Sequence, residues 1–116
     1  MASPPEGCLF CQLAAEGPHV ASTGGFVAIR DIDPKAPVHL LVLPVRHLDS
    51  FREVGELDPD ASARLLAFIA DTARAQGLDD YRIVANVGPS AGQTVFHLHF
   101  HLLGSPERGP LEVGAP

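Results

Sequence analysis

The chain has 116 residues, a formal net charge of −6 from 8 basic and 14 acidic side chains, and 46% hydrophobic residues. That length suits one folded domain and is too short for two, so a single domain over 1–116 is expected, with 1–7 and 105–116 as extended or flexible ends. The acidic balance and the lack of a Lys/Arg cluster exclude nonspecific nucleic-acid binding, and no apolar run approaches the roughly 18 to 20 residues needed to span a bilayer. The first ten residues hold two prolines and an acid and lack the basic start and apolar stretch of an export signal, which predicts a cytoplasmic protein. Any phosphate-bearing ligand would have to be held by local groups: protonated histidines, backbone N–H groups or a bound metal.

The only two cysteines come first, as Cys8-Leu9-Phe10-Cys11. This spacing is half of a tetrahedral zinc site, a plain buried pair, or a redox pair, and the pair alone does not choose among them. A short helix is expected over 8–16, ended by Gly17-Pro18. Strands follow at 26–30 and 39–43, joined by the turn-forming stretch 31–37, which makes a hairpin with a long connection. One long helix is expected over 59–76. Asp58 is its N-cap, Pro59 its first residue, Leu65, Leu66, Ile69 and Ala73 its inward stripe, and Gly77 its stop. Two more strands are expected at 81–86 and 95–103, separated by a Gly-containing loop, and no internal repeat interrupts the pattern. Strands with one long helix inserted argue for an antiparallel α+β domain of about five strands with one long and one short helix.

The last strand carries the chemistry. In Phe96-His97-Leu98-His99-Phe100-His101-Leu102, three of the six histidines fall at alternate positions. A strand sends alternate side chains to opposite faces, so His97, His99 and His101 share one face and Phe96, Leu98, Phe100 and Leu102 the other. A helix would scatter the same imidazoles at about 100° per residue.

His97-Leu98-His99-Phe100-His101-Leu102-Leu103 fits the complete His-φ-His-φ-His-φ-φ signature, with φ apolar, and so resembles the histidine-triad (HIT) family. The stretch from Asp31 through Pro34 to His39, the Leu43-Pro44-Val45-Arg46-His47 segment, and Asn86 through Gln93-Thr94 are similar to the Hint-like branch in the same order. The resemblance implies a HIT-like antiparallel sheet and a two-fold homodimer whose sheets join. It also implies a nucleotide hydrolase with a histidine nucleophile. His99 would attack the α-phosphorus, forming a covalent nucleotidyl-histidine, while His101 and His39 bind phosphate oxygens or move the leaving-group proton. Thr94, where many relatives carry Ser, would hydrogen-bond the leaving amine or a phosphate oxygen. Asp31 would accept from the ribose hydroxyls, although Asp31 before Asp33-Pro34 also reads as a turn acid. Ile32 with Phe26 or Leu43 would pack on the base, and Asn86 and Gln93 would orient the phosphate or the nucleophile. His19 reads as a solvated loop residue.

The same resemblance assigns Cys8, Cys11, His47 and His97 to a structural zinc site with no open position; no organic cofactor is expected. A rival reading places His97, His99 and His101 on one water-activating zinc. Same-face positions are roughly 6.6 Å apart along a strand, so two imidazoles share a metal readily and a third in line is strained. Two departures from the eukaryotic relatives leave the leaving-group pocket open. Arg108-Gly109-Pro110-Leu111 stands where those have His-Trp-Pro-Pro, in a chain without tryptophan, and Arg30 precedes Asp31 where they often carry His. The implied activity is hydrolysis of purine nucleoside 5′-phosphoramidates. The alternatives are a dinucleoside polyphosphate hydrolase or nucleotidyltransferase of the same family, or a nucleotide-binding scaffold or sensor with incidental turnover.

Overall fold

The computed structural model describes residues 6–107. The 108–111 segment and most of both chain ends lie outside the described residues. In chain order the elements are helix α1 (Leu9–Glu16), strands β1 (Ala21–Thr23), β2 (Phe26–Arg30) and β3 (Val38–Pro44), helix α2 (Pro59–Ala75), and strands β4 (Tyr81–Val84) and β5 (Phe100–Gly104). Short 3₁₀ turns cover Phe51–Glu56 and Pro89–Ala91. The strands form one antiparallel sheet in the order β1-β2-β3-β5-β4, the α+β arrangement that the pattern predicts.

Helix α2 begins and ends on chemistry legible in the chain. The Asp58 carboxylate accepts the Ala61 N–H at 2.7 Å, Pro59 opens the first turn, and Gly77, at φ 77°, ends it just beyond the C-cap Gln76. Its buried stripe is Leu65, Phe68, Ile69, Thr72 and Ala73. Leu66, expected to face inward, is 65% exposed. It lies about 100° around the helix from Leu65, off the i, i+3, i+4, i+7 row that meets the sheet.

The two faces of the sheet carry different loads. Toward α2, Phe26, Ala28, Val42, Leu98 and Phe100 pack with Leu65, Phe68 and Ile69. Toward α1, Val27, Ile29, Leu41 and Leu43 receive Phe10 and Ala14. With both faces covered, β2 and β3 are apolar at nearly every position instead of alternating. They pair from Phe26↔Pro44 to Arg30↔Leu40, and the Asp31 N–H reaches the His39 carbonyl at 3.1 Å, which makes the expected hairpin with its long connection.

The last strand is shorter than expected. Val42↔Phe100 is the first pair of the β3–β5 ladder; residues 95–97 fall beyond Pro44, where β3 stops, and Leu98 and His99 make no ladder pair. Their tether is the Leu98 N–H bonded to the Leu48 carbonyl at 2.6 Å. Burial of Leu98 and Phe100 toward α2 and of His97 and His99 on the other side survives without the ladder, but Phe96 is 47% exposed and does not join the core face. β4 likewise ends at Val84, short of the expected 86. Strand β1 and the turn at Phe51–Glu56 were not expected; Ser50 and Glu53 make a reciprocal capping box at the latter. No described helix is long and apolar enough to cross a membrane.

Candidate active site and metal centre

A cavity of about 290 Å³ opens on the α1 side of the sheet, over the ends of β2, β3 and β5. His39, His99 and His101 line it; Asp31, Asn86 and Thr94 add polar groups, and Leu9, Phe10, Leu13, Ile29, Leu41 and Val95 an apolar wall. His39 and His101 are neighbours because β3 and β5 pair His39↔Leu103 and Leu41↔His101, placing both imidazoles on one face.

Hydrogen bonds select a tautomer for each ring. His99 Nδ1 lies 2.7 Å from the His97 carbonyl, which can only accept, so Nδ1 carries the proton and Nε2 keeps its lone pair. Burial lowers the pKa of His99, with the His97 carbonyl and Asp31 acting the other way, so the ring is neutral and nucleophilic. His39 Nδ1 accepts the Lys35 N–H at 3.0 Å, which puts its proton on Nε2. That N–H points at His101 Nδ1, 2.9 Å away, with Asp31 Oδ2 at 3.3 Å as a second acceptor. His101 therefore accepts on Nδ1 and carries its proton on Nε2. Burial first, then neighbouring His99 and His39, lower its pKa to about 4. The His99 and His101 ring centroids are 5.1 Å apart. A ring with a free nitrogen and a ring carrying an N–H thus meet edge to face. Asp31 serves two roles: Oδ1 accepts the Asp33 N–H at 2.8 Å, closing the turn, and Oδ2 faces both histidines.

A second cluster adjoins this cavity. Cys8 Sγ is 3.5 Å from Nδ1 of both His47 and His97, and Cys11 Sγ is 3.2 and 3.4 Å from the same two atoms. Bonds of about 2.3 Å to sulfur and 2.0 to 2.1 Å to nitrogen give a tetrahedral zinc S···N edges of roughly 3.5 Å, so these donors fit one ion with small adjustments. The outer nitrogens are fixed as well: His97 Nε2 donates to the Pro44 carbonyl and His47 Nε2 to Asp49 Oδ1, both at 2.7 Å, leaving each Nδ1 free to ligate. Burial and the adjacent Cys8 push the Cys11 thiol up to about 11, a pair of sulfurs that a divalent cation would relieve.

The rival zinc reading fails on direction, because His97 Nδ1 faces the sulfurs while His99 Nδ1 is spent on a carbonyl. Asp31, His39 and His101 also gather three donors. However, the Lys35 N–H leaves the His39 proton on the nitrogen that would have to ligate, so this group handles protons better than metal.

A family profile described as HIT domain matches residues 14–108. The chain belongs to the HIT family. It is 35% identical over 105 residues to protein HitA of Neisseria gonorrhoeae, covering 87% of this chain and 98% of that one. It is 36% identical over 86 residues to the purine nucleoside phosphoramidase of Escherichia coli K12, covering 72% of each. Among solved structures, a HIT family hydrolase from Clostridium thermocellum superposes with a TM-score of 0.80 at 36% identity, over 95% of this chain and 100% of that one. A histidine triad protein from Clostridium difficile gives 0.80 at 31% identity over the same shares.

This HIT enzyme brings most of the expected site residues together, with three exceptions. Phe26 and Leu43, expected to pack on a base, are 2% and 0% exposed and sealed in the core, because neither projects into the cavity. Gln93 is buried beneath the loop. Its carbonyl oxygen accepts the Gly88 N–H, and its amide donates to the carbonyls of Asp49 and Val95, so its polar atoms brace the loop instead of facing the cavity. The apolar wall is supplied instead by Leu9, Phe10 and Leu13, one face of α1, with Ile29, Leu41 and the fully exposed Ile32 at the mouth. The i, i+1, i+4 spacing of the first three was the available signal. Gly92, at φ 100°, carries the loop past Asn86 into the cavity rim, beside exposed Thr94. His19 is exposed, its Nε2 hydrogen-bonded to the Leu13 carbonyl.

Proposed function

We propose that this HIT enzyme hydrolyses purine nucleoside 5′-phosphoramidates, of the adenosine 5′-monophosphoramidate kind, through a nucleotidyl group on His99. The observation that carries the reading is the tautomer of His99, whose Nε2 keeps its lone pair, on a ring that meets His101 edge to face in a cavity with an apolar wall. The purine nucleoside phosphoramidase from Escherichia coli adds support from a relative.

In the first step His99 Nε2 attacks the α-phosphorus and the P–N bond breaks. An anionic phosphate in the cavity favours protonated His101, and Asp31 Oδ2, 3.8 Å from His101 Nδ1, is the acceptor that lets the His39/His101 pair hold the added proton. His101 gives that proton to the leaving nitrogen, releasing the amine. In the second step water attacks phosphorus, its proton returns to His101, the P–Nε2 bond breaks, and the nucleoside monophosphate leaves. Asp31 would accept from the ribose hydroxyls, Thr94 would hydrogen-bond the leaving group or a phosphate oxygen, and Asn86 would orient the phosphate.

In this reading zinc fills the Cys8, Cys11, His47 and His97 cluster as a structural ion. The enzyme works as a homodimer in a reducing cytoplasm, where paired thiols persist as ligands. The dimer is supported by β4, which pairs with β5 alone among the described strands and exposes Tyr81 and Ile83, an edge suited to a two-fold copy.

The deciding experiment incubates the protein with adenosine 5′-phosphoramidate and records AMP release and intact mass together. Release with a transient nucleotidyl adduct on His99 is the expected result. Inertness on this substrate with turnover of diadenosine polyphosphates would overturn the phosphoramidase assignment.

A further inference from the structure

Apart from the four-donor cluster, α1 is held to the sheet by Phe10 and Ala14 with part-buried Leu13 beside them. It has 8 residues, too few to stay helical in water unaided, and only Phe10 and Ala14 are fully buried. Sulfur ties its first turn: Cys8 Sγ accepts the Cys11 N–H at 3.3 Å while both sulfurs lie against His47 and His97. The same turn builds the catalytic cavity. Leu9, Phe10 and Leu13 form its wall, and the Phe10 ring meets His99 edge to face, with centroids 4.9 Å apart and planes at 86°.

His97 joins the two sites. Its Nδ1 faces the sulfurs, its ring is fully buried, and its own carbonyl holds the His99 Nδ1–H at 2.7 Å.

We propose that the Cys8/Cys11/His47/His97 cluster positions the nucleophile: by clamping α1 and the His97 main chain it holds both the apolar wall and the reactive tautomer of His99, making Phe10 and His97 positioning residues. This rests on the reading of the cluster as metal-bound and of the cavity as a nucleotide site. Without the ion, α1 keeps only buried Phe10 and Ala14 and part-buried Leu13 against the sheet, Phe10 is freer to leave the His99 ring, and the peptide that carries the His97 carbonyl is held only by the Leu98 N–H bond to Leu48 and the His97 bond to Pro44. His99 then divides between two tautomers, and fewer molecules present the Nε2 lone pair. A metal that merely stabilised the fold would change the folded fraction and leave KM and kcat per folded molecule unaltered.

The test removes zinc from the loaded protein with a chelator. Zinc release, far-ultraviolet circular dichroism, the His99 Nδ1–H resonance and AMP affinity by calorimetry are followed in parallel. The expected result is a retained sheet signal, loss of the His99 proton to solvent exchange, and AMP affinity weaker by about tenfold, in step with zinc loss. An unchanged His99 resonance and unchanged AMP affinity in folded, zinc-free protein would overturn the proposal. Should the stripped protein unfold, Phe10→Leu in the loaded enzyme decides the matter. It should keep one zinc per chain and raise KM several-fold, and unchanged KM and kcat would overturn the proposal. Zinc-loaded protein that does not bind AMP would overturn the nucleotide reading, and the His99 resonance would still report the coupling.

Discussion

His97 and His99 are two residues apart on the same face, yet they use opposite nitrogens. His97 gives its Nε2 proton to the Pro44 carbonyl and turns Nδ1 toward two sulfurs; His99 gives its Nδ1 proton to the His97 carbonyl and keeps Nε2 for the cavity. One cluster gathers four donors and leaves no position open; the other lines a cavity with three imidazoles and a carboxylate. A backbone carbonyl at the right place is enough to aim the free nitrogen of one histidine at two thiols and that of its neighbour at the cavity. The chemistry of the triad is thus decided by acceptors that lie outside the imidazoles themselves.

The sharpest way to test this division is His99→Ala, which should lower turnover by roughly 10⁴-fold or more while AMP affinity changes only several-fold. Substantial activity in that variant would remove His99 from the nucleophile's role. The other side of the comparison predicts a stability effect. Chelation of zinc should cost about 3 kcal/mol or more and lower Tm by roughly 10 °C, read by calorimetry with and without added metal. A Tm indifferent to chelator would mean the four donors hold no ion.

Acid should strike the histidine cluster of the cavity next. Buried His101 is neutral in the folded chain down to about pH 4, while in the unfolded chain it takes up a proton near the ordinary 6.5. Stability from this group is therefore complete above pH 6.5 and falls as the pH drops toward 4, by at most about 3 kcal/mol. His101→Gln should flatten that part of the profile in urea titrations at several pH values, and an unchanged slope would mean that His101 is not the source. The smallest effect belongs to Asp49→Asn, which leaves His47 Nε2 an acceptor oxygen but removes its negative charge. Zinc affinity should fall by up to about tenfold, with Tm within a few degrees and kcat unchanged. A large loss of kcat would show the two clusters coupled through His47 instead of His97.

Reading the chain alone found α2 nearly to the residue, because Asp58, Pro59 and Gly77 act on their own backbone neighbours. It found the long hairpin for the same local reason, and the shared environment of the three histidines from their period of two. It missed where the last ladder stops. The alternation of 95–103 says which way side chains turn, but pairing needs a partner strand, and β3 runs out at Pro44, opposite Leu98, leaving 95–97 nothing to pair with. Phe26 and Leu43 looked as available to a base as Leu9 or Phe10, since apolar character is the same in a core and in a pocket wall. Gln93, in turn, looked like a ligand-binding amide until the loop around it consumed both ends.

The residue types and spacings of this chain by themselves determined the α+β class and the shared face of the three alternating histidines, while the grouping of Cys8 and Cys11 with His47 and His97, and of His39 with His99 and His101, came from the resemblance to the HIT family. Those are properties of order along the chain. The tertiary structure alone decided which nitrogen of each ring carries its proton, which apolar residues border the cavity, and that α1 reaches both clusters at once. Each of these depends on a backbone carbonyl, N–H or side chain brought from far along the sequence. Pro44 lies 53 residues from His97, and Cys8 lies 89 from it. A pattern of neighbours does not encode contacts at such separations.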